Sequence, residues 1–351
     1  MGWLEAEDLR ARVQKTLDAF LDAQEPTLCG VSDDLAPFVQ TLRELVAGGK
    51  RLRPAFCYWG WRGAGADDCE SIVAAATALE LLQACALIHD DVMDDSDTRR
   101  GRPSVHHQFA AQHRSKQWRG TPEDFGYAAA ILLGDLALSW SDQLLYDSGM
   151  PADALLRAKP VFDVMRTELM AGQYLDLAEQ ARGDGCVDSA LRVARFKSAK
   201  YTIERPLHLG AALAGGSDEL MATYTAYGLP LGEAFQLRDD VLGVFGDPTE
   251  TGKPAGDDLR EGKRTALVAY ALEHASAAQA ELVHRHLGDP HLSVEGVAVL
   301  RDVIVGTGAL AWVETLIDQR TEQALAALDG VAEPARTVLA ELAAAATRRH
   351  A

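Results

Sequence analysis

The residues with most chemical potential lie in one run, Leu87-Ile88-His89-Asp90-Asp91-Val92-Met93-Asp94-Asp95-Ser96-Asp97-Thr98-Arg99-Arg100-Gly101. Asp90 and Asp94 stand four apart, so on a helix their carboxylates share one face, and Asp91 leans toward the same mouth. Carboxylates crowded in this way repel, and Asp is a mediocre helix former. The cluster therefore asks for a compensating cation. Mg²⁺ fits, because it takes carboxylate oxygens together with water and phosphate oxygens. The plainer alternative is a solvated helix end. A second run, Phe235-Gln236-Leu237-Arg238-Asp239-Asp240-Val241-Leu242-Gly243, puts Gln236, Asp239 and Asp240 on one helical face. Two acidic walls of this kind would hold several Mg²⁺ ions between them, with a diphosphate bridging the ions.

Cations are placed to complete such a site. Gly49-Lys50-Arg51-Leu52-Arg53-Pro54 gathers three of them beside a glycine pair, and Arg99-Arg100 follows the first acidic run. Lys197 and Lys200 fall in a helical stretch, and Lys253 and Lys263 flank a Gly/Pro-rich segment after the second run. Taken singly, each reads as a surface cation. Clustered beside both acidic runs, they read as phosphate ligands, Arg through its planar fork and Lys as a mobile point charge.

Long helices must position these groups. From Ser71 to Asp91, Ile72, Ala75, Ala76, Leu79, Leu82 and Ala86 recur at three- and four-residue spacing with no Gly or Pro between them. Tyr127–Tyr146, Ala152–Arg182, Asp188–Ala214, Asp218–Phe245, Lys263–Leu287 and Gly308–Arg349 also read as helices. Strand-type runs are scarce, so the fold class is all-α, a bundle of long helices. Gln112–Asp124, Arg182–Asp188 and Gly246–Gly262 read as loops, the last one long enough to close as a lid. Pro230 is expected to kink the helix that delivers Gln236 and Asp239. No break separates chemically different halves, so residues 1–351 read as one domain.

Composition sets the remaining bounds. Of 351 residues, 48% are apolar, enough for a large core and against extensive disorder. The net charge of −18 disfavours nucleic acid and anionic membrane as partners, although a pocket within an acidic protein can be locally basic. Cys29, Cys57, Cys69, Cys85 and Cys186 form no CxxC pair and read as reduced thiols. No segment reads as a membrane span, and Met1–Arg10 does not read as a signal peptide. A cytoplasmic protein is expected.

In the order and type of these motifs the chain resembles the trans-isoprenyl diphosphate synthases, from about Gly48 to Thr265. Gly49–Pro54 resembles that family's GKxxRP segment. Asp90–Asp94 with Arg99-Arg100-Gly101 resembles its first aspartate-rich motif. Lys197-Ser198 resembles its Lys-Thr pair, and Gln236 with Asp239-Asp240 its second motif. The resemblance implies a homodimer that ionises an allylic diphosphate with Mg²⁺, three ions in all, and condenses it with isopentenyl diphosphate. It implies that Asp90, Asp91, Asp94 and Asp239 hold metal, with Asp240 close by. Arg99, Lys197, Lys253 and Lys263 would hold the allylic diphosphate; Lys50, Arg53, Gln83 and Arg100 would hold isopentenyl diphosphate. Ser198 and Gln236 would stabilise the carbocation by their dipoles. In that family, bulk just before the first Asp sets product length. Cys85 and Ala86 are small here, and Leu82 and Leu79 lie further down, so a geranylgeranyl product is expected, with farnesyl or longer products as alternatives. Gly243 stands where many members have another Asp, leaving at most two close carboxylates on that wall. A terpene cyclase would leave the Lys50–Arg53 cluster without a role. A non-catalytic regulatory subunit would be expected to lack one of the acidic motifs.

Overall fold

The computed structural model describes residues 2–183, 185–247 and 256–347. The described residues are almost entirely helical. The order is α1 (Gly2–Val31), α2 (Ala36–Val46), α3 (Leu52–Gly63), α4 (Glu70–Met93), α5 (Val105–Lys116), α6 (Pro122–Tyr146), α7 (Ala152–Arg182), α8 (Val187–Val193), a π-helical segment (Ala194–Glu204), α9 (Arg205–Ala214) and α10 (Asp218–Phe245). A short turn at Asp257–Arg260 and further helices follow, ending with Ala335–Thr347. Among the described residues the only strand pairing is a minimal hairpin, Thr98–Arg99 with Arg102–Pro103.

Helix α4 is the centre of the bundle. Ile72, Ala75, Ala76, Leu79 and Leu82 are essentially fully buried, and the helix packs along α6, with α3 and α1 beside it. It is long and apolar enough to cross a membrane by length and composition, yet two-thirds of its most apolar stretch is buried by neighbouring helices. It is a core helix, and its apolar character is explained by burial on most sides. A second apolar core joins the far half of α10, through Leu237, Val241 and Val244, to the C-terminal helices. Helix α10 therefore belongs to both cores.

Several element boundaries differ from the sequence expectation. Most of the expected Gln112–Asp124 loop is helix: α5 runs to Lys116 and α6 starts at Pro122, a proline being well suited to the first helical turn. The expected Lys263–Leu287 helix is two, broken where Ser276 caps a new start and accepts from Gln279 N. The Gly308–Arg349 helix is also broken, near Gly330 and Pro334. Helix α10 runs unbroken through Pro230. Most consequential, Asp188–Ala214 is not one α-helix, because its middle is π-helical. That wide turn lies between α7 and α10, which approach it through glycine. A Cβ at Gly172 would stand 2.3 Å from Lys197 N, and one at Gly232 would stand 2.5 Å from Ala199 Cα. Pattern reading finds apolar repeats, and an 11-residue π-helical stretch set between α-helices uses the same residue types as its flanks.

Candidate active site

The end of α4 delivers the first acidic wall. Asp90 Oδ1 accepts from Lys197 Nζ at 3.1 Å and from Gln173 Nε2 at 2.9 Å. Lys197 also reaches Asp176 Oδ2 at 2.6 Å, so it ties α4 to α7. Burial alone would raise the Asp90 carboxyl, but Lys197, Lys263 and Arg99 together outweigh it and hold Asp90 well below the usual range. Asp94 is in the opposite situation. Burial, with Asp90 and Glu261 nearby, pushes it up to about 6 despite Lys263. Asp94 Oδ2 is buried and accepts no hydrogen bond, with Lys263 Nζ 3.3 Å away.

Asp91, an expected metal ligand, is paired here with an arginine. It is 1% exposed and accepts from Arg99 Nε at 2.9 Å, while Arg99 also pairs with it through its terminal nitrogen. The carboxylate orients that guanidinium, and the same terminal nitrogen that pairs with Asp91 lies 3.6 Å from Asp90 Oδ2.

The second wall comes from more than its own motif. Gln236 Nε2 donates to Asp240 Oδ1 at 2.7 Å. Asp240 is buried, and burial, with Asp258, Asp239 and Asp176 close by, pushes its carboxyl up to about 8. The place left by Gly243 is taken by Asp258: a Cβ at position 243 would lie 1.8 Å from Asp258 Oδ2. Lys263 then bridges the walls, between Asp94 on one side and Asp258 at 3.7 Å and Glu261 on the other. These buried oxygens cannot all ionise without a cation. An all-oxygen donor set of this kind suits a hard divalent ion such as Mg²⁺.

A cationic pocket adjoins the first wall. Arg53 stacks over the Tyr201 ring at 4.3 Å and donates to Thr202 Oγ1 at 2.9 Å, while its Nε is buried with no hydrogen-bond partner. Tyr201 donates to Gln83 Oε1 at 2.7 Å. Burial, with Arg51, Arg99 and Arg53 nearby, depresses the Arg100 guanidinium despite Glu80. Arginine stays charged in proteins, so this crowd of like charge favours an anion among it. Lys50 is exposed at the rim on the loop before α3. Arg51, by contrast, is buried in structural bonds to Glu80 and Gln14.

Below Asp90, Gln83, Ala86, Leu87 and Asp90 form a half-buried stripe on the otherwise buried α4, at three- and four-residue spacing. Lys197 and Tyr201 of the π-helical segment face its two ends. Of the two small residues, Ala86 lies on this stripe. Cys85 points elsewhere, buried with its Sγ 3.7 Å from His89 Nδ1. Leu79 and Leu82 are buried lower down.

Of the expected site residues, the structure brings together Asp90, Asp94, Arg99, Lys197, Asp240 and Lys263 around the walls. Gln83, Arg53 and Arg100 line the neighbouring pocket. Ser198 is buried on the π-helical segment and Asp239 is half-buried on α10. Lys253 lies outside the described residues. Lys200 turns away to Glu168 and Glu204. Sequence reasoning missed Gln173, Asp176, Tyr201, Thr202, Asp258 and Glu261. The polar pair Gln173 and Asp176, three apart on α7, carried a readable signal, as did Tyr201 and Thr202, four after Lys197 and Ser198; Asp258 meets Gly243 only on folding.

A family model described as polyprenyl synthetase matches residues 36–303. The chain belongs to the polyprenyl synthetase family. It is an enzyme, a trans-prenyltransferase of that family, and its fold is the long-helix bundle of its relatives. A geranylgeranyl pyrophosphate synthase from Corynebacterium glutamicum, solved with isoprenyl diphosphate and magnesium, is 46% identical, with a TM-score of 0.95 over 98% of this chain and 99% of that one. A geranylfarnesyl diphosphate synthase of Aeropyrum pernix is 34% identical over 78% of this chain and 81% of its own length. A (2E,6E)-farnesyl diphosphate synthase of Mycobacterium tuberculosis is 33% identical over 82% of this chain and 79% of its own. These names denote products of different lengths, so membership alone does not fix the length of the chain made.

Proposed function

We propose that this Mg²⁺-dependent enzyme condenses isopentenyl diphosphate head-to-tail with an allylic diphosphate to make geranylgeranyl diphosphate. The observation that carries this reading is the pair of acidic walls linked by Lys197 and Lys263 above the half-buried stripe of α4 that contains Ala86. Asp90 and Asp94 from one wall, with Asp239 and Asp240 from the other, are the residues to hold the metal, in our reading three ions. When bound, Mg²⁺ supplies positive charge to a diphosphate leaving group. Lys197, Lys263 and Arg99, and by resemblance Lys253, hold that diphosphate and meet the negative charge that grows as the carbon–oxygen bond breaks. Asp91 keeps Arg99 aimed. Arg53, Arg100, Gln83 and Lys50 hold isopentenyl diphosphate, whose double bond attacks the allylic cation before a proton leaves. Ser198 and Gln236 turn oxygen dipoles toward that cation. Dry walls keep water from quenching it.

The growing tail runs down the stripe past Ala86 toward Leu82 and Leu79. Incubation with isopentenyl diphosphate, a geranyl starter and Mg²⁺, followed by mass identification, tests this. The expected product is geranylgeranyl diphosphate. Ala86→Phe should shorten it to farnesyl diphosphate, at a packing cost of about 1–3 kcal/mol if the space is tight. A wild type that stops at farnesyl diphosphate overturns the open-stripe reading.

The same proposal includes a homodimer, one catalytic unit per chain, cytoplasmic residence and no nucleic-acid partner. Ile131 and Leu132 on α6 and Leu156, Met170 and Tyr174 on α7 are exposed apolar side chains, 46–72% accessible, of the sort that subunits cover. The free thiols support a reducing compartment.

A further inference from the structure

We propose that Asp95, His106 and His107 form a binding site for a divalent transition ion of the zinc class, separate from the Mg²⁺ walls. One ligand atom from each residue lies within 4.8 Å of the other two. Asp95 follows Asp94 directly but takes a left-handed backbone, φ +51°, a conformation that Asp tolerates better than most residues. Its carboxylate is placed with α5 and α6 rather than with Lys263. Oδ1 accepts from Tyr127 OH at 2.5 Å and lies 3.9 Å from His106 Nε2.

The two histidines occupy the first turn of α5. His106 is 3% exposed, its ring stacked on Tyr127 with centroids 5.1 Å apart. Ser104 Oγ lies 3.3 Å from its Nδ1 and 3.5 Å from its Nε2, so the hydroxyl sits against the ring and can turn to Nδ1 when a metal takes Nε2. His107 is half-exposed. Its Nε2 is a buried atom that makes no hydrogen bond, although Asp97 Oδ1 stands 3.1 Å away and offers a further oxygen at the rim.

Two imidazoles and carboxylate oxygen are a borderline donor set, preferred by Zn²⁺, Co²⁺ or Ni²⁺ over Mg²⁺. Tetrahedral zinc with bonds of about 2.0–2.1 Å needs these atoms to draw together by about 1 Å, within reach of side-chain rotation at Asp95 and His107. The ion would join the two ends of the segment 95–107, whose middle carries Arg99 and Arg100.

The test is calorimetric titration of the full-length protein with Zn²⁺ in millimolar Mg²⁺, repeated with Co²⁺ followed by its visible absorption. The wild type should take one tight Zn²⁺ per chain and melt at a higher temperature with it. Losing even a supporting partner of a metal ligand costs about 10–100-fold in affinity, so His107→Ala should cost at least that much, and Asp95→Asn should also weaken binding. His107 is at the surface, so its variant should fold; should it not, Asp95→Asn decides. Absence of tight binding by the wild type, unchanged binding in the folded variants, or displacement of Zn²⁺ by Mg²⁺ would each overturn the proposal.

Discussion

The two acidic walls are built in different ways. The first is one helix end and the loop after it. Asp90, Asp91, Asp94 and Arg99 lie within ten residues, and their mutual contacts follow from helix spacing and one tight hairpin. The second is assembled. Asp240 and Gln236 come from α10, Asp258 and Glu261 from the segment around Asp257–Arg260, and Asp176 from α7. The electrostatics follow the construction. Asp90 meets cations and stays ionised, whereas Asp240 meets acids and is pushed up to about 8. The first wall is therefore charged before metal arrives, and the second acquires its full charge only with metal.

The largest expected effect lies on the first wall. Asp90→Asn keeps the shape and an acceptor for Gln173 but removes the charge that Lys197 and Arg99 share. Turnover should fall by about 100–1000-fold, the cost of losing one preorganised electrostatic group. Circular dichroism should show an intact fold, since Lys197 keeps Asp176. A near-normal rate at saturating Mg²⁺ would show that the first wall does not work as a charged unit.

The same contrast explains what the sequence made legible. Long apolar periodicity identified α4, α7 and α10 closely, because buried helices repeat over many turns. The first wall was readable because its partners are near in sequence. Asp258 was not, since only folding lays it against Gly243, and a missing Asp in a motif reads as a loss until its replacement is seen in space. The π-helical turn that presents Lys197 and Ser198 was invisible for a related reason. A π-helical stretch of 11 residues draws on the same residue types as an α-helix, and the compensating sign, glycine at 172 and 232, sits on other helices.

The next effect is a proton. Asp94 and Asp240 have folded pKa values above the ordinary unfolded value of about 3.9. Between that value and about 8 these two groups hold more protons in the folded, metal-free protein than in the unfolded chain, so their contribution to stability should fall as pH rises through this window. Metal displaces those protons, so Mg²⁺ binding should tighten with pH by up to about tenfold per unit for one proton released. Calorimetry at pH 7 in buffers of different ionisation enthalpy reads the proton count. Asp240→Asn should remove most of the release and Asp90→Asn little of it. Equal losses would erase the distinction between the walls.

The smallest change probes the assembled wall at its joint. Gly243→Ala adds one methyl, where a Cβ would stand 1.8 Å from Asp258 Oδ2 and 2.5 Å from its Cγ. The glycine here has an ordinary helical backbone within α10, so its value lies in space and not in conformational freedom. Asp258 must swing away, and Lys263 loses one of the carboxylates that hold it between the walls. Overpacking of this kind costs about 1–3 kcal/mol, part of it recovered because alanine is the better helix former. The expected result is a modest loss of thermal stability and a several-fold rise in the Mg²⁺ concentration needed for half-maximal rate, with isopentenyl diphosphate binding unchanged. Asp258→Asn should reproduce the Mg²⁺ effect without the stability loss, since the amide keeps the carboxylate's shape. If Gly243→Ala lowers stability while leaving the Mg²⁺ dependence alone, Asp258 packs against α10 without serving the metal, and the second wall is reduced to the carboxylates of its own helix.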